Sequence, residues 1–304
     1  MGELIMEFSW SAIQSIQSLE TSRAGRFQPE WRPILLGYFG LTPGMRVLEV
    51  GCGPGTLAPY LAAGVNPGTV TAVDLDKEFI QYAEDKAHRE GHTGIRYLVA
   101  NAYHLPFADG LFDAAVSYTG IGILQQPRQA IREMVRVVRP GGSIAVAEAV
   151  TGQTGILFKG VDALGRQESY PGAHQYWELK DRLHHALAQK PLGLGDPDWP
   201  PEAIWGLMAE EGVINLRINA WGYVDADDDS RHPSRMARIR DNGARELELV
   251  RLVRSDPQWK NIFQVKEWDE LVRLIEARQN WLVDHAAFDW EAGLSIVMAG
   301  TQGL

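Results

Sequence analysis

Between Glu49 and Gly55 the chain reads Glu-Val-Gly-Cys-Gly-Pro-Gly, after a short β-rich run and before a helical one. Glycines in that setting let a ligand reach the backbone without a side chain in the way. Asp74 ends the next β-rich run, 21 residues after Gly53. There a carboxylate can accept hydrogen bonds from both hydroxyls of an unphosphorylated ribose. Asp76 takes the role of helix cap, which leaves Asp74 for a ligand. Loop and carboxylate together describe a nucleoside site. A dinucleotide fingerprint would need glycine at position 56, but Thr56 stands there and Gly51, Gly53 and Gly55 alternate strictly. A nicotinamide cofactor is therefore the weaker reading.

Other side chains with chemical capacity are scattered. His104 follows the third predicted strand, while His174, His184 and His185 lie in a segment that could close over a substrate. Histidine is the general base best matched to neutral pH, and His174 and His184 are candidate bases. Tyr118, at the end of the fourth predicted strand, is better placed to orient an acceptor. The acidic run Asp225 to Asp229 is read as solvated carboxylates rather than a magnesium site, and no metal site is expected. Cys52 is the only cysteine, so no intrachain disulfide forms, and its place inside the glycine turn argues for packing over nucleophilic attack.

These residues need a scaffold, and the chain supplies an alternating one. Strands are expected at 46–50, 69–73, 95–99, 112–118 and 143–149, with helices over about 56–63, 77–90 and 127–138. Asp76 caps the second of these helices and Gly91 ends it. Such alternation implies a parallel sheet wound on both faces. The rhythm breaks after Val150. A helix from Pro201 to Glu211, a sixth strand at 214–224, strongly helical residues 232–289 and a last strand at 294–299 complete the pattern. Eight of the ten tryptophans fall between Trp177 and Trp290. Their apolar faces suit either an extra helical layer or a pocket for an aromatic or isoprenoid-like substrate.

The motifs Val47-Leu-Glu-Val-Gly-Cys-Gly-Pro-Gly-Thr56, Val73-Asp-Leu75 and Arg136-Val-Val-Arg-Pro-Gly-Gly142 resemble those of the class I S-adenosylmethionine-dependent methyltransferases. The stretch from Ala100 to Asp113 is similar to the branch holding the ubiquinone and menaquinone C-methyltransferases and many natural-product methyltransferases. The resemblance covers about residues 40 to 150. It implies an α/β fold, a Rossmann-like doubly wound sheet of seven strands with the last antiparallel, and helical insertions forming a lid. It implies S-adenosyl-L-methionine as cofactor. The expected bed is Gly51, Cys52, Gly53, Pro54 and Gly55 against the methionine part, Asp74 on the ribose, and Leu75, Asn101 and Ala102 around the adenine. Tyr118 and Thr119 would lie beside the amino group and the reaction centre.

The division expected is an N-terminal helical segment (1–40), a cofactor-binding core (41–150), an insertion (151–200) and a C-terminal part (201–304) carrying the helical insertion 232–289. A formal net charge of -10 repels phosphate backbones. Ser117-Tyr-Thr-Gly120 stands where resembling amino-methylating enzymes carry an Asp/Asn-Pro-Pro-aromatic motif. Nucleic acid is thus not the expected partner; a small-molecule methyl acceptor is. No apolar run is long enough to span a bilayer and no leader pattern opens the chain, so a cytoplasmic protein is expected. The rival readings are a non-catalytic S-adenosylmethionine-binding regulator or subunit, and a nucleic-acid or protein methyltransferase.

Overall fold

The computed structural model describes Ile16, Leu19, Glu20, Arg23 and residues 26–149, 158–159, 170–189, 201–226, 235–259, 261–284 and 290–303. The first half alternates as its hydrophobic pattern requires: α1 (Arg32–Phe39), β1 (Arg46–Val50), α2 (Ala58–Val65), β2 (Thr69–Asp74), α3 (Lys77–Arg89), β3 (Ile95–Val99), β4 (Phe112–Tyr118), α4 (Pro127–Val137) and β5 (Val138–Ala149). Local signals set the boundaries. Asp76 accepts hydrogen bonds from the backbone N–H groups of Glu78 and Phe79 at the start of α3. Gly91, at φ 70°, ends the helix in the left-handed conformation that glycine adopts without strain.

The second half adds a short β6 (Phe158–Lys159), α5 (Ala173–Gln189), α6 (Pro201–Glu210), β7 (Val213–Ala226), α7 (Arg235–Ser255), α8 (Val265–Asp284) and β8 (Trp290–Gln302). The seven expected strands are present, with β6 as an eighth. The sheet order is β3-β2-β1-β4-β5-β8-β6, with β7 paired to β8. Strands β1 to β5 are mutually parallel and β8 runs antiparallel to β5, giving a Rossmann-like α/β fold. One expectation needs correction. The fifth strand begins at Val138 rather than Ser143, because Val138 pairs with Phe112 and the Arg139-Pro-Gly-Gly142 turn lies inside the strand as an irregularity in register. Arg139 Nε donates to Asp113 Oδ1 at 2.8 Å, tying that turn to β4.

Two apolar layers flank the sheet. Leu35, Phe39, Tyr60, Leu61 and Ile80 bring α1, α2 and α3 against one face. Ile131, Met134, Ile204 and Met208 bring α4 and α6 against the other. A third cluster, built from Tyr176, Val253, Trp259, Trp268, Leu271 and Ile275, binds α5, α7 and α8 to each other. Many of the late tryptophans therefore cement a helical layer of their own. Each fully buried aliphatic partner in that layer, such as Leu271, contributes on the order of 1.5–3 kcal/mol.

The topology also places this helical layer. β7 pairs with β8 from Val213↔Gln302 to Ala226↔Trp290, whereas β5 stops at Ala149↔Ser295. Gly222 to Ala226 and Trp290 to Leu294 therefore continue past the carboxyl end of β5 as a β7–β8 ribbon, flanked by β6 through Phe158↔Ala292 and Lys159↔Glu291, and α7 and α8 lie between β7 and β8 in sequence.

Candidate functional site

In an open α/β sheet, ligands bind beyond the carboxyl ends of the strands, where the strand order reverses. Here the reversal falls between β1 and β4. The loops leaving those strands meet: a Cβ placed on Gly51 would stand 3.6 Å from Gly120 Cα. Gly51 and Cys52 both donate their backbone N–H to Val73 O, at 2.8 and 3.0 Å, and this folds the glycine turn back over the end of β2. Gly55, at φ 79°, admits no substitute, since its Cβ would lie 2.7 Å from Ala83 Cβ on α3 and 3.0 Å from the Tyr97 hydroxyl.

Asp74 locks this turn. Its Oδ2 accepts from Gly53 N at 2.8 Å and its Oδ1 from Asp76 N at 2.9 Å. Each carboxylate oxygen has a second acceptor position left, which suits a pair of vicinal hydroxyls. Burial raises the Asp74 carboxyl above its ordinary range, against the lowering effect of these two backbone bonds. Leu75, 58% exposed, presents an apolar side chain at the edge of the crevice. Asn101 and Ala102 are half-buried in the loop after β3. The Asn101 Oδ1 accepts from Tyr103 N at 2.8 Å, so its side-chain carbonyl is engaged in the turn.

The loop after β4 is held from the neighbouring strand. Glu148, near the end of β5, accepts from Ile121 N and Gly122 N at 3.0 and 2.8 Å. Thr119 lies at φ 54°, a left-handed conformation uncommon outside glycine. Its N–H donates to Ala147 O at 2.7 Å. Tyr118 is buried, its hydroxyl 2.9 Å from Ser295 Oγ on β8 and its ring edge-on to Phe27 with centroids 5.1 Å apart.

Glu49 is the least expected member. It is 2% exposed, and its Oε2 has no hydrogen-bond partner among the described residues. Burial pushes its carboxyl up to about 8; Arg23 opposes the shift and Asp74 adds to it. A buried acidic group without its full set of partners, beside a second carboxylate, is a candidate for contact with a ligand. The crevice thus offers ribose acceptors, backbone close enough for a compact ligand, and a polar floor. Those features fit an adenosyl amino acid.

The structure thus brings Gly51 to Gly55, Asp74, Leu75, Tyr118 and Thr119 around one crevice mouth. His174 is exposed on the first turn of α5, in the helical layer, and His104 is exposed in the loop after β3. Of His184 and His185 the helical backbone alone is described, and Asp227 to Asp229 of the acidic run lie outside the described residues. Cys52 is buried, and burial raises its thiol well above the usual range, which suppresses the thiolate a nucleophile needs. Among the described residues no cluster of histidine, cysteine and carboxylate side chains could hold a metal ion, and no helix is long and apolar enough to cross a membrane. Sequence reasoning missed Arg23, Glu148 and Ser295, because each reaches the site from a distant segment with no motif around it.

Residues 48–146 match the methyltransferase domain family. An uncharacterized protein of Mycobacterium bovis is 41% identical over 114 residues, covering 38% of this chain and 40% of that relative's length. The chain thus spans well under half of that relative. A demethylmenaquinone methyltransferase of Renibacterium salmoninarum is 33% identical over 175 residues, covering 52% of this chain and 70% of its own. Among solved structures, the YcgJ protein of Bacillus subtilis aligns over 91% of this chain and 100% of its own with a TM-score of 0.53 at 15% identity, which shows a shared fold. Motifs, sheet order and relatives agree: the chain belongs to the class I S-adenosylmethionine-dependent methyltransferases, in the branch of the ubiquinone and menaquinone C-methyltransferases, and S-adenosylmethionine is its cofactor.

Proposed function

We propose that this chain methylates a small aromatic or apolar metabolite, with Gly51, Cys52, Gly53, Pro54, Gly55, Asp74, Leu75, Asn101, Ala102, Tyr118 and Thr119 forming the bed of the cofactor. S-adenosylmethionine, when bound, supplies a methyl group on a sulfonium centre that a nucleophile displaces in line. The chain's own task is to align that nucleophile and keep water out.

The observation that carries the reading is the aromatic wall beside Tyr118. Phe27 lies against both Tyr118 and Tyr60, at 5.1 and 5.6 Å between centroids, and Trp31 stands edge-on to Trp221 at 5.8 Å. Trp221 pairs in register with Ser295, the partner of the Tyr118 hydroxyl, so these rings share the carboxyl edge of the sheet. The Trp221 Nε1 is buried with no acceptor among the described residues. Such a wall recognises a flat apolar ring and offers one donor to orient it. The Tyr118 ring shapes the wall, and its hydroxyl is held by Ser295. The Renibacterium relative, named for demethylmenaquinone, is a precedent for a quinone acceptor.

The test is incubation of the full chain with methyl-labelled S-adenosylmethionine and panels of quinols, phenols and amines, followed by mass analysis. A product heavier by one methyl group, with release of S-adenosylhomocysteine, is expected. Tight cofactor binding without turnover on any panel would favour a regulatory subunit instead.

A further inference from the structure

The glycine loop is approached from the N-terminal side by a helical stretch whose Leu19, Glu20 and Arg23 are described. Leu19 is buried, and Glu20 is bonded to Tyr82 and Lys86 on α3, so this stretch is strapped across the helix that follows β2. Three residues on, Arg23 turns its guanidinium into the crevice. Its Nη2 donates to Thr119 Oγ1 at 3.4 Å, and its Nη1 lies 3.3 Å from where a Cβ on Gly53 would stand. Gly53 belongs to the loop after β1 and Thr119 to the loop after β4. Arg23 therefore bridges the two walls of the crevice.

A guanidinium carries five N–H donors. Among the described residues the Thr119 hydroxyl, at the long limit of the geometry, is the hydrogen-bond acceptor Arg23 uses. The neighbouring carboxyls do not fill the gap: Asp74 already accepts from Gly53 and Asp76, and Glu49 is held largely in its neutral form by burial. Burial, together with repulsion from Arg26, pushes the Arg23 guanidinium down to about 10. Arginine prefers a planar, two-oxygen acceptor, and neither nearby carboxyl, Asp74 or Glu49, is hydrogen-bonded to it among the described residues.

We propose that Arg23 receives the carboxylate at the amino-acid end of the cofactor, reaching it from the N-terminal strap across the gap between Gly53 and Thr119. This rests on reading the crevice as the S-adenosylmethionine site. It makes the strap part of the binding site, so that cofactor binding and the docking of Glu20 on α3 reinforce one another. The rival account is that Arg23 only plugs the crevice, and the two differ in sign.

The test uses the full chain and two ligands: S-adenosylhomocysteine, and 5′-methylthioadenosine, which keeps the adenosine and the thioether but lacks the amino-acid end. Calorimetry on Arg23→Met should show S-adenosylhomocysteine affinity lower by about ten- to hundredfold, the range for a charge-assisted hydrogen-bonded pair. Affinity for 5′-methylthioadenosine should change by less than about twofold. Retained binding of that second ligand certifies that the variant is folded. Arg23→Lys should lie between wild type and Arg23→Met for the first ligand. An equal loss for both ligands would assign Arg23 to the scaffold, and unchanged or tighter binding of S-adenosylhomocysteine would make it a plug; either overturns the proposal. If the wild-type protein binds neither ligand, the cofactor reading itself fails, and Arg23 with it.

Discussion

The Tyr118 hydroxyl, at the last residue of β4, lies 2.9 Å from Ser295 Oγ on β8, so residues 177 positions apart share one buried hydrogen bond at the carboxyl edge of the sheet. Removing the Tyr118 hydroxyl takes a partner from the buried Ser295 hydroxyl, whereas removing Ser295 leaves the Tyr118 hydroxyl beside Arg26. Tyr118→Phe is expected to cost about 1–3 kcal/mol, the penalty for an unsatisfied buried group, and Ser295→Ala less. The double variant should cost clearly less than the sum, because the shared bond can be lost only once. Urea unfolding of the four proteins in a double-mutant cycle measures the coupling; additive losses would show that the bond carries no weight.

Asp74 holds the glycine turn and keeps acceptor positions free on the same two oxygens. Asp74→Ala is expected to weaken binding of S-adenosylhomocysteine by about 1.5–3 kcal/mol, or ten- to hundredfold. Asp74→Asn keeps one acceptor oxygen and should lose less. Unchanged calorimetric affinity in Asp74→Ala would remove this residue from the ribose site.

Glu49 makes stability depend on pH in a direction opposite to that of most carboxylates. Its folded value of about 8 lies above its ordinary 4.5, so the folded chain holds this proton where the unfolded chain has released it. Stability from this group is complete below about 4.5, declines as pH rises, and is lost through about 8. Asp74, also shifted upward, slopes the same way. Glu49→Gln keeps the shape and removes the titration, so its unfolding free energy should fall less steeply between pH 5 and pH 8 than that of the wild type. Parallel curves for the two proteins would show that Glu49 stays ionised in the fold.

The parts of this site readable from sequence are those made by neighbours along the chain. Glycines at 51, 53 and 55 announce a turn that only they can take, and Asp74 follows at the end of the next strand because a parallel crossover brings it there. Asp76 was separable from Asp74 because capping has its own local geometry, and the structure shows Asp76 capping α3 while Asp74 accepts from the backbone of Gly53 and Asp76. What could not be read was made by tertiary approach. Arg23 has no motif around it and gains meaning only from Gly53 and Thr119 facing it. Ser295 and Glu148 are ordinary strand residues until the antiparallel return of β8 and the loop after β4 place them. The tryptophans were ambiguous for the same reason: composition does not tell a pocket wall from a core, and the structure buries Trp221 in the sheet-flanking cluster that holds Tyr118, and Trp259 and Trp268 within the helical layer.

That helical layer has its own core, and this carries a last consequence. Leu271 on α8 is 1% exposed and belongs to the cluster that joins α5, α7 and α8, which shares no buried residue with the clusters flanking the sheet. Leu271→Ala should therefore cost about 2–5 kcal/mol through lost contact and a residual cavity, borne by the helical layer. Because α7 and α8 connect to the sheet through the β7–β8 ribbon, loosening them leaves the glycine turn and Asp74 in place. S-adenosylhomocysteine affinity should stay within about threefold of wild type while methyl transfer to the acceptor falls, and thermal unfolding should separate into two steps. A single transition with joint loss of cofactor affinity would mean that the layers fold as one unit, and that the helices support the crevice as well as the acceptor.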